Sequence, residues 1–188
     1  HARDTFIRNR THHFYNESFQ NISELHVGDV KELKGSKLDI VKKTIKNYFP
    51  KMEFSKFSKF SPDLLCGGPP CQGYSGIGHR RLHNVEKNQL PSNKLFVDMI
   101  LQINNFNPKI FLFENVKGIL SAKWTQSGVR GEIFSDVLGE FKALVDYEVR
   151  WSLVRSKDYG IPQNRPRVFI VGVRKDVFTN SDLPKKRT

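Results

Sequence analysis

Two short apolar runs constrain this chain more than any other feature. Ser61-Pro62-Asp63-Leu64-Leu65-Cys66 stops abruptly at Gly67-Gly68-Pro69-Pro70, and Ile110-Phe111-Leu112-Phe113 runs straight into Glu114. Short continuous apolar runs bounded by turn formers read as buried strands. Between them Leu95, Phe96, Met99, Ile100 and Ile103 recur at helical spacing, with Ser92 as the expected cap and Asn104, Asn105 and Pro108 as the stop. Strand, helix and strand in this order make a parallel crossover unit.

The flanking sequence extends the pattern. Ile22 to Val30 can hold a short strand ending at Gly28-Asp29, and a helix is expected from Ser36 as N-cap to a stop at Pro50. Its apolar face is Leu38, Val41, Ile45 and Tyr48, with Lys42, Lys43 and Lys46 turned away. Residues 131–145 form a second amphipathic helix, with Ile133, Phe134, Val137, Leu138, Phe141 and Leu144 as its buried stripe. Val149, Trp151 and Leu153 alternate with Arg150 and Ser152, the mark of a half-buried strand, and Val168 to Val173 is a final strand. The class is therefore α/β, parallel at first with an antiparallel finish.

Lys and Arg exceed Asp and Glu to give a net charge of +12 over 188 residues. That excess points to a polyanion, with nucleic acid the default partner and a generally cationic surface the plain alternative. Hydrophobic content of 38% is too high for a disordered basic tail. No apolar run approaches the ~20 residues that span a bilayer. Two cysteines fit a reducing, cytoplasmic setting and exclude a disulfide scaffold. The chain opens at His1 without an apolar leader, so no secretory signal is expected, and residues preceding it are.

In an open parallel sheet, ligands sit beyond the carboxyl ends of the strands. The first strand delivers Cys71 there, after a turn stiffened by Pro69 and Pro70. The Gly67-Gly68 pair lets that turn approach a ligand closely. Cys71 in this position reads as a nucleophile, whereas Cys66, inside the apolar strand, reads as an inert core thiol. The spacing of the two cysteines is not a zinc pattern, so no metal is expected. Glu114 has two readings: a buried acid satisfied by backbone N–H groups, or a desolvated acid whose raised pKa lets it carry a proton near neutrality. Arg165 and Arg167 are either surface cations beside a turn or two guanidiniums on one face with a shared partner.

Three motifs occur in order: Pro70-Cys71-Gln72, Glu114-Asn115-Val116 and Gln163-Asn164-Arg165-Pro166-Arg167. With Asp63-Leu64-Leu65, Lys94-Leu95-Phe96 and Asp158-Tyr159-Gly160-Ile161-Pro162 in support, the chain resembles the DNA (cytosine-5) methyltransferases of bacterial restriction-modification systems over about residues 60–174. The resemblance implies a Rossmann-like S-adenosylmethionine-dependent methyltransferase sheet, here incomplete at its N- and C-terminal ends. Residues 1–60 would be an arm and part of the cofactor half with a basic insertion, 61–174 the catalytic half, and 175–188 a tail. It implies a catalytic set of Cys71, Glu114, Arg165 and Arg167. S-adenosylmethionine would meet Asp29, Pro69 and Leu95. Double-stranded DNA would meet Gln72, Ser75, Arg80, Arg81, Asn115 and Val116.

The implied chemistry is attack of Cys71 on C6 of a flipped cytosine, with methylation at C5. The family's Gly-rich cofactor turn has no match before Cys66, and its target-recognition region and closing motif are absent. A second chain supplying those parts is one expected arrangement. The alternatives are an inactive nucleic-acid-binding relative and an RNA cytosine-5 methyltransferase. The Phe54/Phe57/Phe60 row with its lysines either stacks bases or anchors an inserted loop.

Overall fold

Leu64–Gly67 (β1) and Ile110–Val116 (β2) pair in parallel, with Leu64 opposite Ile110 and Gly67 opposite Phe113. These coordinates come from a computed structural model, which describes residues 27–48, 61–70 and 94–177. The expected strand over 22–26, the Phe54/Phe57/Phe60 row, the loop from Cys71 to Asn93 and the tail beyond 177 lie outside the described residues.

Leu95–Phe106 (α2) joins the first two strands, and Glu132–Lys142 (α3) leads from β2 to Tyr147–Arg155 (β3). The chain then returns as Pro166–Arg174 (β4), which inserts antiparallel between β2 and β3 to give the order β1-β2-β4-β3. Because β4 is antiparallel to both neighbours, β3 runs parallel to β2. The fold is α/β with a mixed four-stranded sheet, parallel first and antiparallel last, as the pattern predicts. Both crossovers step in one direction across the sheet. With the usual right-handed connection, that places both helices on the same face.

That face holds the core. Phe111, Phe113, Val168 and Ile170 from the sheet join Phe96, Met99 and Ile103 of α2 and Ile133, Val137 and Phe141 of α3. Phe111 stacks on Phe141 at 5.3 Å between ring centres, and Phe113 meets Phe141 at 5.2 Å. Such aromatic pairs contribute about 0.5–1.5 kcal/mol each beyond area burial. The predicted stripe of α3 is the one buried, and Trp151 of β3 meets Phe134 edge-on at 4.8 Å. Gly172 sits opposite Phe111, and a Cβ there would collide with the Phe111 ring.

The termini of the elements depart from the expected caps. Helix α2 is preceded by Lys94, which makes no side-chain cap, rather than by Ser92. It ends at Asn107 in the left-handed conformation, φ 46°, beyond the expected Asn104 and Asn105. Asn tolerates that region because its short polar side chain bonds locally. Cys66 is exposed, not a core thiol: among the described residues β1 is an edge strand with a neighbour on one side only. At the opposite end of the sheet from β2's C-terminus, the buried Arg174 guanidinium takes Asp176 (Nε–Oδ1 2.6 Å) and Ser61 Oγ (2.8 Å). Beside it, the Tyr147 hydroxyl donates to Pro108 O at 2.6 Å, and burial pushes its pKa up to about 12.

The chain divides into two units, His1–Phe60 and Ser61–Thr188. In the first, Gly28-Asp29 does not end a strand among the described residues. The Asp29 carboxylate instead accepts from Lys31 N–H at 2.9 Å and caps a 3-10 turn over Val30–Glu32. Helix α1, Gly35–Tyr48, opens at Gly35 with φ 53°, so Ser36 lies within it and is not its cap. Leu38, Val41 and Thr44 are buried along it. Among the described residues no helix is long and apolar enough to cross a membrane.

Between β2 and α3 the loop 122–131 closes on itself through Gly131 N–H and Ala122 O. The Glu132 carboxylate ties it by accepting from Val129 N–H and Trp124 N–H, bonds that hold its pKa below the ordinary 4.5. A depressed carboxylate contributes stability above its unfolded-state pKa and loses it as pH falls through the folded value. The melting-temperature difference between wild type and Glu132→Gln should therefore be present at pH 7 and shrink below about pH 4.5. Gly172→Ala should cost about 1–3 kcal/mol in urea denaturation, the usual range for overpacking. An unchanged midpoint would show that Phe111 has room to move.

Candidate active site

The turn leaving β1 passes directly over β2. A Cβ on Gly67 would stand 3.0 Å from Met99 Sδ, and one on Gly68 would stand 2.9 Å from Glu114 Oε2. The close approach that the glycine pair permits is thus to the protein's own carboxylate. Pro69 then offers its carbonyl to Asn115 Nδ2 at 3.3 Å, while Asn115 Oδ1 accepts from Val116 N–H at 2.8 Å. Asn115 is 4% exposed, so its amide fastens the turn leading to Cys71 onto the strand bearing Glu114. That placement differs from the outward DNA contact the motif implies. Strand alternation carried the signal, because Asn115 shares its face with Phe111 and Phe113.

Glu114 lies inside β2, not at its end, because pairing with β4 continues to Val116 opposite Arg167. Glu114 itself faces Phe169, which makes Arg167 its diagonal neighbour on the same face. Arg167 Nε meets Glu114 Oε1 at 2.7 Å, with side-chain exposures of 20% and 36%. Arg167 Nη1 also donates to Pro166 O at 2.9 Å. A charge-assisted hydrogen bond of this length orients both groups, although partial exposure keeps its net worth small. The carboxylate is therefore partly open to water and, among the described residues, is held by a guanidinium and not by backbone N–H groups.

Arg165 behaves differently. It precedes β4, its side chain is exposed, and it has no ion-pair partner among the described residues. The two arginines therefore do not share a partner within the described structure. Val116, the last residue of β2, is half-buried against the core. Leu95 opens α2 and Pro69 follows β1, both half-buried, while Asp29 belongs to the other unit. Cys71, Gln72, Ser75, Arg80 and Arg81 lie outside the described residues.

Gly68→Ala should displace the Glu114 carboxylate, since the added methyl stands within contact distance of Oε2. Gly67→Ala should be milder, because a flexible thioether can give way. Crystal structures of the two variants test this. The Arg167–Glu114 separation should exceed 4 Å only in Gly68→Ala, and an intact pair in that variant would show that the turn does not set the carboxylate.

The chain is 40% identical over 128 residues to the Type II methyltransferase M.DdeI of Desulfomicrobium norvegicum, covering 68% of this chain and 28% of that protein. It is 41% identical over 123 residues to the Type II methyltransferase M.FnuDI of Fusobacterium nucleatum, covering 65% and 32%. The matched stretch thus spans less than a third of either relative. Among solved structures, a DNA modification methyltransferase encoded within an E. coli prophage superposes with a TM-score of 0.52 at 26% identity, over 85% of this chain and 37% of that one. A family model described as C-5 cytosine-specific DNA methylase matches residues 9–188, and the chain belongs to that family.

Proposed function

We propose that this chain carries the base-handling part of a DNA cytosine-5 methyltransferase. The observation that supports it most is the Glu114–Arg167 pair lying under the Gly67-Gly68-Pro69 turn that leads to Cys71. A carboxylate so fixed can accept from the exocyclic amine of a cytosine, and from N3 when that nitrogen carries a proton. Cys71 follows Pro69 by two residues in the sequence. Taking the base out of the duplex costs a few kcal/mol, which contacts of this kind must offset.

In this reading the Cys71 thiolate forms a bond to C6, and the C5–C6 π electrons become available at C5. Glu114 accepts from the amine and shares a proton with N3. The electron density added by the thiolate is thereby neutralised at N3, and the proton is given back when the S–C6 bond breaks. Arg167 keeps the carboxylate oriented and stands toward the O2 side. Bound S-adenosylmethionine supplies the methyl group to C5. The C5 proton then leaves to a base, the S–C6 bond breaks, and the Cys71 thiolate is restored. Pro69 and Leu95, both half-buried, offer apolar surface of the kind an adenosyl group would take.

Incubating the full-length protein with 5-fluorocytosine duplex DNA and S-adenosylmethionine tests the proposal. Fluorine at C5 cannot leave as a proton does, so a covalent complex should accumulate. Cys71→Ser should give none while melting within a few degrees of wild type, and Glu114→Gln should form it at least about a hundredfold more slowly, the scale of a positioned acid–base group. No adduct from the wild type on any DNA sequence would refute the proposal.

A further inference from the structure

Strand β3 ends the sheet on the side away from β1, and among the described residues β4 is its one neighbour. A free edge is a template for another strand, and proteins commonly blunt it with proline, lysine, a bulge or shortness. This edge carries none of these. Its nine residues, Tyr147-Glu148-Val149-Arg150-Trp151-Ser152-Leu153-Val154-Arg155, include neither proline nor lysine, and their register against β4 is unbroken. Ser156 N–H bonds Arg165 O across the ladder, and such bonding alternates along an antiparallel pair. Val149, Trp151 and Leu153 therefore turn their backbone N–H and C=O groups to the open side. Trp151, in mid-strand, is 45% exposed although its ring meets Phe134. On the opposite face of the sheet, Glu148 and Arg150 stand 3.7 Å apart, each about half exposed.

We propose that β3 pairs with β3 of a second copy of this chain, antiparallel about Val149. In that register the edge is complementary to itself. Val149 faces Val149, Glu148 faces Arg150 of the second copy, and Arg150 faces its Glu148. On the helix-covered face Tyr147 comes opposite Trp151, and Val145, 76% exposed just before the strand, comes opposite Leu153. Opposite charges and aromatic pairs set directly across a ladder are stabilising, and the two-fold axis makes each pair occur twice. Moving the axis by one residue sets Glu148 against Glu148 or Arg150 against Arg150, and like charges directly opposite are destabilising. The two four-stranded sheets become one, and both free β3 edges disappear. Each candidate site stands at the Arg155 end of its β3, so antiparallel pairing sends the two sites to opposite ends of the joined sheet. Both sites stay open, and the contact draws nothing from the methylation chemistry.

Sedimentation velocity of the full-length protein over a concentration series tests the pairing. The wild type should pass from monomer to dimer as concentration rises. Arg150→Glu and Glu148→Arg each set like charges across the edge, and each should weaken dimerisation at least about tenfold. Both side chains are about half exposed, so both variants should keep the fold and melt close to wild type. An equimolar mixture of the two variants should associate again, since every carboxylate then meets a guanidinium. The double variant carrying both changes should dimerise like wild type, because its ion pairs are exchanged and not lost. A wild type that stays monomeric at every concentration would overturn the proposal. So would a dimer that neither single change weakens, or single variants that remain monomeric when mixed, since either result excludes the register about Val149.

Discussion

The antiparallel pairing of β4 with β2 is the constraint on which both core and site depend. One register sets Gly172 opposite Phe111 on the helix-covered face and Arg167 diagonal to Glu114 on the other. Because side chains alternate along a strand, a slip of one residue would exchange the faces. Val168 and Ile170 would lose the core, and Arg167 would be driven among phenylalanines. The burial that holds β4 in place therefore also holds the guanidinium at its carboxylate. The aromatic stack supplies the energy, and the exposed ion pair contributes mainly orientation.

Much of this was legible from the chain's periodicities. Short apolar runs gave β1 and β2, and helical spacing gave α2 and α3 with their buried stripes. The Val149-Trp151-Leu153 alternation gave β3. What periodicity reports is which residues share a face; it does not report what lies against that face. Cys66 falls in an apolar run and is still exposed, because its strand has a described neighbour on one side only. Caps failed for a related reason. Ser36 and Ser92 are good capping types. The helices begin elsewhere, one at a left-handed Gly35 and the other after Lys94.

At the candidate site, several residues meet neighbours within the protein that the sequence pattern did not show. Gly67 and Gly68 were expected to admit a ligand, and they admit Met99 and Glu114. Asn115 was expected to face DNA and instead ties Pro69 to β2. The Gly68–Glu114 and Pro69–Asn115 contacts each cross 46 residues of chain, between segments that no local pattern relates. The motif identifies which residues meet; only the pairing of β1 with β2 shows that they meet each other.

The charge of the chain can now be divided by chemistry. Arg167 is matched by Glu114. Among the described residues, other cations of the same unit have no acidic partner. Arg165, two residues earlier, and Lys157 across the turn are of that kind among the described residues. The change from compensated to uncompensated arginine occurs within Arg165-Pro166-Arg167. Pro166 opens β4 there, and the chain passes from exposed turn to paired strand. Proline suits this junction because its missing N–H and fixed φ mark the first residue of a strand without disturbing the ladder beyond. One residue of backbone chemistry thus separates a guanidinium that orients an acid from an exposed one with no acidic partner among the described residues.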